Sequence, residues 1–415
     1  MPAAVELGSA PRFSIVVLTR NEAWALPQLL WSLEEFLERR GEVLVLDTGS
    51  TDATIAIARH RGCRVELVQD RFDTVLDGAQ AAEIDRHFAK GEDAPLVMAG
   101  QRLFHFGDAR QYAGLLSASR FVLQLDASDV VPALDIDAFD RWIDSAGVGC
   151  FEYDQLYGGI ALRIARFYDR TRYHWEGRVH ELLTTDGQAD RTASRMRCDP
   201  TQLLVSHNKD YTKRRNYLAG LALQSFERPE QARWRHYLGR ELYYQGSHAS
   251  AIAILEEHAA MEGAWPAERS QSLCYMGQSL EQLERVGEAK EVYRRAFTLE
   301  PTRREPLLRL ATICCRRGEF EIAAQYANQS LTIPHTNGYP ELEANYTWLP
   351  HSLLYWCLFW LGQKDQARAH WETYRSLVPE DGMTWEHARL FPPASVAASE
   401  ASLQRRAPAP SPLAS

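Results

Sequence analysis

Three apolar runs near the start of the chain constrain its fold more than any other feature. Phe13-Ser14-Ile15-Val16-Val17-Leu18-Thr19 is a continuous, largely β-branched stretch, as a strand buried on both faces requires. Glu42 to Leu46 reads as a second such strand and Cys63 to Val68 as a third. Between the first two, Leu26, Leu29, Leu30 and Leu33 recur at helical spacing. Between the next two, Asp52 opens a helix over Ala53 to His60 that ends near Gly62. Strand, helix, strand, helix, strand at this spacing predicts parallel strands joined by right-handed crossovers.

Two strands of this set end in carboxylates. One closes on Asp47-Thr48-Gly49-Ser50-Thr51-Asp52, the other, Phe121 to Leu125, on Asp126-Ala127-Ser128-Asp129. In an open α/β sheet that edge is where ligands bind. An ionised carboxylate there can accept hydrogen bonds from ribose hydroxyls, or hold a hard cation that bridges to a pyrophosphate. The same residues suit a plainer role, with Ser50 or Asp52 capping the next helix.

Residues 70–107 carry weaker signals, a helix over Ala79 to Ala89 and a Gly-Glu-Asp loop. Asp108 to Ala118 reads as a helix. Residues 148–168 read as a hairpin around Gly158-Gly159, Arg172 to Glu181 as a loop, and Leu203 to Ser206 as a last short strand. After Lys213, Gly and Pro become sparse and a period of about 34 residues sets in, as in a tetratricopeptide-type helix-turn-helix repeat. Ala251, Ala289, Ala323 and Ala367 fall at matching places, 38, 34 and 44 residues apart, with a longer loop at His335 to Leu349. Leu238-Gly239 and Met276-Gly277 mark the earlier helix of two units, and Pro301, Pro334 and Pro379 close units. A generic helical bundle is the alternative. The expected organisation is a flexible lead-in at 1–11, an α/β domain over 12–212, helical repeats over 213–385, and a disordered Pro/Ala/Ser-rich tail over 386–415.

Composition narrows the class. A net charge of −9 over 415 residues argues against a dedicated nucleic-acid surface. Seven cysteines without CxxC or metal spacing suit reduced thiols in a cytoplasmic protein. The N-terminus has no signal-peptide pattern, and no stretch approaches the ~20 apolar residues of a membrane span.

The runs SIVVLTRNE, VLVLDTGSTDATIAIARHRGCRV and DARQYA…VLQLDASD together resemble the family 2 glycosyltransferases, over about residues 12–210. The members that append tetratricopeptide repeats also carry something similar to Trp175 to Glu181, Ser206-His207 and Lys213-Arg214-Arg215-Asn216. The resemblance implies a GT-A fold, Rossmann-like with a mostly parallel sheet. It also implies inverting transfer of a sugar from a nucleotide-diphosphate sugar, UDP-sugars favoured, with a divalent metal, Mn²⁺ or Mg²⁺. It implies nucleotide-sugar contacts from Thr19, Arg20, Glu22, Asp47, Asp52, Arg110 and Asp126. Asp126, Asp129 and His207 become the metal-ligand candidates. Ser128 departs from the pattern, standing where a second aspartate is usual, and a serine hydroxyl is a weak ligand. Asp129 could shift in as the ligand, Asp126 could act through water, or metal dependence could be weakened. Glu181 is the candidate base, Glu176 the alternative, and His180 could orient the base or touch phosphate. Tyr153, Tyr173 and Trp175 could stack on a sugar, or form core. A protein or peptide acceptor could bind the repeats, which also suit self-association. Other acceptors, a glycan lipid, a metabolite or a modified nucleobase, fit the same chemistry, and a degenerate repeat scaffold is the non-enzymatic alternative.

Overall fold

The structure is a computed structural model that describes residues 9–91, 95–145, 147–157, 160–185, 195–208, 217–336, 339–378 and 390–391. The expected Gly158-Gly159 turn, Glu92 and Asp93, the basic run Lys213 to Asn216 and Pro379 lie outside them, as does the tail apart from Leu390 and Phe391. The chain divides into two compact units: Met1–Ala89 with Pro95–Pro229, and Lys90–Ala94 with Glu230–Ser415.

The first unit holds strands β1 (Phe13–Thr19), β2 (Val43–Asp47), β3 (Arg64–Leu67), β4 (Asp73–Val75), β5 (Arg102–Phe104), β6 (Phe121–Asp126) and β7 (Asp129–Leu134). It continues with β8 (Cys150–Tyr157), β9 (Ile160–Asp169), β10 (His174–Glu176), β11 (Leu182–Thr184), β12 (Arg195–Arg197) and β13 (Leu203–His207). Its helices are α1 (Leu26–Ser32), α2 (Glu34–Glu38), α3 (Thr54–His60), α4 (Gly78–Phe88), α5 (Phe106–Leu116), α6 (Ile136–Ile143) and α7 (Leu218–Glu227). Among the described residues one mixed sheet runs in the order β3-β2-β1-β6-β9-β8-β13-β7, with β12 beside β8.

The expected parallel core is present: β1 pairs in parallel with β2 and β6, and β2 with β3. Both sheet faces are covered, which is why these strands read as unbroken apolar runs. Phe13, Ile15 and Val17 join Leu26, Leu29 and Phe139 on one side, while Val16, Leu44 and Val122 join Tyr168 and Trp175 on the other. Beyond β6 the sheet becomes mixed: β9 lies antiparallel between β6 and β8, β13 runs parallel to β8, and β7 runs antiparallel to β13.

Three expectations need correction. Residues 172–181 are not all loop: β10 pairs with β11 antiparallel, Trp175 opposite Leu183. The 70–107 segment contains an antiparallel β4–β5 pair with the expected helix between its strands, and α4 begins with a reciprocal Asp77–Gln80 capping box. Strands of three residues leave too little alternation to be legible. Helix α7 belongs to the first unit, because buried Gln224 accepts from the Arg178 and Val179 amides and donates to the Val179 carbonyl.

Among the described residues the second unit holds four helix pairs: α8 (Ala232–Tyr244) with α9 (His248–Ala260), α10 (Pro266–Gln282) with α11 (Val286–Leu299), α12 (Glu305–Arg316) with α13 (Phe320–Leu331), and α14 (Trp348–Trp360) with α15 (Lys364–Leu377). This is a tetratricopeptide-like repeat. Ala251, Ala289, Ala323 and Ala367, one on each second helix, are all fully buried. Gly239 and Gly277 admit the partner helix closely: a Cβ there would lie 2.5 Å from the Leu255 and Tyr293 side chains. Phe391, expected in a disordered tail, packs with Tyr355 and Trp371 in the last core cluster. No helix among the described residues is long and apolar enough to cross a membrane.

A buried relay crosses α8, α9 and α10. His236 Nδ1 lies 2.7 Å from Ser272 Oγ, which lies 2.8 Å from His258 Nδ1. Burial, then the charges of Arg269 and Arg235, push His258 down from 6.5 to about 4, and His236 falls too, by burial and by its neighbours His258, Arg240, Arg233 and Arg303. The unfolded chain takes up a proton near pH 6.5 that the folded imidazole refuses until about pH 4. Stability should therefore be full above 6.5 and fall as pH drops through that window, by about 3 kcal/mol for His258 alone. Urea denaturation of the full chain across that range checks this; a flat profile would exclude it.

Candidate functional site

The carboxyl edge of the parallel strands assembles most of the candidate residues. Thr19 ends β1, Asp47 ends β2 opposite it, and Asp126 ends β6 opposite Leu18. Asp47 and Asp126 thus stand two strands apart, about 10 Å at ordinary strand spacing. Strand β7 begins at Asp129, and β13 runs antiparallel to it with His207 directly opposite Asp129.

At the centre, Asp126, Asp129 and His207 each offer a ligand atom, all within 4.8 Å of one another. Two carboxylates and an imidazole suit a divalent cation. The question left by Ser128 has a geometric answer: Asp129 and His207 both join Asp126, and Ser128 contributes its carbonyl to the Asn208 amide instead. His207 Nδ1 lies 2.8 Å from Asp129 Oδ1, which also accepts from Gln155 Nε2 at 3.0 Å. Asp129 Oδ2 accepts from the Asp126 amide at 2.8 Å, closing the turn between β6 and β7.

Two arginines surround Asp126. Arg110 Nη2 donates to Oδ1 at 2.7 Å and Arg166 Nη1 to Oδ2 at 2.8 Å. Arg110 Nε reaches Glu181 Oε1 at 2.6 Å, so one guanidinium ties helix α5, strand β6 and the 177–181 turn together. Burial alone would raise the Asp126 carboxyl, but Arg166 and Arg110 hold it well below the usual carboxylate range. The same arginines outweigh burial at Glu181 and keep it low. Asp129 behaves oppositely: burial raises it against the His207 hydrogen bond. Three carboxylates against two guanidiniums leave the cluster one negative charge in excess when His207 is neutral. Both oxygens of Asp126 and Oδ2 of Asp129 accept one hydrogen bond each and keep a second lone pair, while Oδ1 of Asp129 is taken up by Gln155 and His207. On both counts the residues fit a divalent ion.

The 177–181 turn is held from both sides. Gly107 at the start of α5 donates to the Gly177 carbonyl, and a Cβ at Gly107 would lie 2.4 Å from that oxygen. On the other side Gln224 clamps Arg178 and Val179. His180 takes a left-handed φ of 51° beside Tyr217, which turns the chain back so that Glu181 meets Arg110. Gly107→Ala should cost about 1–3 kcal/mol, since backbone must move to admit the methyl; chemical denaturation reads it directly.

Other candidates lie elsewhere. Asp47 is buried and accepts from the Gly49 and Ser50 amides, Ser50 Oγ and Thr19 Oγ1, so it shapes its own loop. Asp52 accepts from the Thr54 and Ala23 amides, lacing the 47–54 loop to the 20–23 turn. Glu22 donates its amide to Thr54 Oγ1. Arg20 is half-exposed, 4.0 Å from Asp73 of strand β4. Glu176 pairs with His174 at 3.1 Å and takes no part in the cluster. Tyr153, Tyr173 and Trp175 are buried, core rather than stacking platforms, although the Arg110 guanidinium lies 5.5 Å above the Trp175 ring. Sequence reasoning missed Arg166 and Gln155. A detectable signal existed for Arg166, a charged residue inside the apolar strand Ile160–Asp169.

No protein-family model and no curated protein matches the chain. Solved structures similar to it include PilF of Pseudomonas aeruginosa, at 21% identity over 42% of this chain and 71% of that one, with a TM-score of 0.33. MamA from Desulfovibrio magneticus RS-1 matches at 16% identity over 42% of this chain and 93% of that one, TM-score 0.32. A further MamA structure matches at 13% over 39% and 86%, also at 0.32. The expected membership of the family 2 glycosyltransferases is corrected by these findings: MamA and PilF are not glycosyltransferases, and no family model supports it. The physical reason is that the resemblance rested on short strand-end runs. A run such as Asp47 to Asp52 is also what a parallel sheet needs simply to fold its loop, which is what Asp47 does here.

Proposed function

We propose that the first unit is a transferase for nucleotide-diphosphate sugars, UDP-sugars favoured, moving the sugar with inversion to an acceptor hydroxyl or amide. One observation carries the reading: Asp126, Asp129 and His207 converge at the carboxyl edge of parallel strands, flanked by Arg110, Arg166 and Glu181. The convergence itself does not depend on membership of any family. The 20–23 and 47–54 loops beside the cluster are the seat for base and ribose, with Arg20 at the rim. Asp126, Asp129 and His207 would hold Mn²⁺ or Mg²⁺, which neutralises the departing diphosphate when bound. Glu181, ionised through Arg110 and Arg166, accepts the acceptor's proton. Arg110 fixes the Glu181 carboxylate relative to Asp126, so that base and donor site move as one body.

The helical repeats supply a surface for a protein or peptide acceptor. The setting proposed for the protein is the cytoplasm, where scattered cysteines stay reduced. Calorimetry with UDP in the presence and absence of Mn²⁺, followed by donor hydrolysis across UDP-, GDP- and dTDP-sugars, tests the reading. Metal-dependent UDP binding with turnover is expected. Absence of both would leave the repeats as a binding scaffold and end the enzymatic reading.

A further inference from the structure

The strand register sets two further polar side chains beside His207. Strand β13 lies between β8 and β7, so His207 pairs with Asp129 on one side and with Tyr157 on the other. Gln155 precedes Tyr157 by two residues and so points to the same face of β8. Tyr157 Oη donates to Gln155 Oε1 at 2.9 Å, and Gln155 Nε2 donates to Asp129 Oδ1 at 3.0 Å. His207 Nδ1 lies 2.8 Å from that same carboxylate oxygen. The Tyr157 ring stands 5.0 Å from the His207 ring, centroid to centroid. Gln155 is fully buried, and Tyr157 is partly exposed.

We propose that Gln155 and Tyr157 are positioning residues of the metal-ligand cluster: they hold Asp129 so that His207 keeps its proton on Nδ1 and offers Nε2 as its ligand atom. The inference rests on the metal-assisted transferase reading and deepens it. The direction of each bond follows from the one before. An ionised carboxylate only accepts, so Asp129 draws the NH₂ end of Gln155 toward itself. The carbonyl end is then turned to Tyr157, whose hydroxyl must donate. Asp129 Oδ1 accepts a second time, from His207 Nδ1–H, and the neutral imidazole is left with its one lone pair on Nε2. Gln155 thereby fixes Oδ1 toward His207, while Oδ2, bonded to the Asp126 amide, keeps a lone pair for the ion. The Tyr157 ring packs against the imidazole and supports that orientation. A carboxylate behind a ligating imidazole orients the ring and makes it a more basic ligand.

Two measurements on the full-length protein test this. In the first, Mn²⁺ alone is titrated and the free ion followed by EPR. Gln155→Met fills the volume without the amide and should weaken Mn²⁺ binding about 10–100-fold, the range for losing an outer-shell partner. Tyr157→Phe keeps the ring and removes the hydroxyl, and should weaken binding measurably but less. As a one-atom change at a partly exposed position, it carries the test if Gln155→Met does not fold. In the second, nitrogen-15 NMR of metal-free, histidine-labelled protein at neutral pH reads the tautomer, with His207 assigned as the signal missing from His207→Gln. The proton is expected on Nδ1 in the wild type, and as a mixture of both tautomers in Gln155→Met. A wild-type proton on Nε2 overturns the inference, as does either variant binding Mn²⁺ like the wild type, and both results leave the metal-assisted reading standing. Wild-type protein that binds no Mn²⁺ ends that reading and this inference together.

Discussion

Arg110→Met is expected to destabilise the first unit by about 3–5 kcal/mol, the range for removing one partner of a buried ion pair. The Arg110 side chain is only 4% exposed and serves two carboxylates at once, Glu181 at 11% and Asp126 at 27%. Without it Glu181 loses its hydrogen-bonded guanidinium while staying inside, and Asp126 keeps Arg166 alone of its two arginines. Methionine fills the volume but leaves a charge uncompensated, so most of the loss is the penalty of that orphaned carboxylate. The double variant Arg110→Met with Glu181→Gln should recover a measurable part, because it removes both members. Urea denaturation of the two single variants and the double variant measures the coupling. A cost under about 1 kcal/mol for Arg110→Met would show that the pair is solvated like a surface bridge.

His207→Gln is expected to lower Mn²⁺-dependent UDP affinity by at least about 100-fold, at or beyond the upper end of what loss of a supporting group at a metal site costs. His207 sits at the end of β13, and backbone pairing with β7 holds it opposite Asp129. Glutamine preserves a polar group of similar reach, and Asp129 retains its bonds from Gln155 and the Asp126 amide, so the turn should survive. Affinity for UDP without metal should change little. Equal losses with and without Mn²⁺ would instead make His207 a structural residue. Calorimetry reports both numbers on one sample.

Much of the frame was legible before any coordinates. The run Phe13–Thr19 is strand β1 to the residue, and the helix expected over 79–89 is α4, Gly78–Phe88. Both signals are local, the first a run buried on both faces, the second an amphipathic stretch with a capping box. The four spaced alanines mark the second helix of every repeat, because only a small residue fits where the paired helices cross. The short pairings β4–β5 and β10–β11 were invisible, since strands of three residues carry too little alternation to read, and β4 in addition finds its partner far along the chain.

The site divides the same way. Asp126 and Asp129 are conspicuous in the chain as carboxylates at a strand end, whereas Glu181, His207 and Arg110 could be nominated only through the family resemblance. Their grouping could not be, nor could Arg166 and Gln155, which reach the cluster from antiparallel strands β9 and β8. By itself the sequence determined a parallel α/β core followed by helical repeats, through periodicities that each segment carries alone. Which of two neighbouring polar residues faces the cluster, Asp129 rather than Ser128, only the tertiary structure decided. The pairing of β13 with β7 sets that choice: it puts His207 opposite Asp129, while Ser128, one residue earlier, gives its carbonyl to the Asn208 amide.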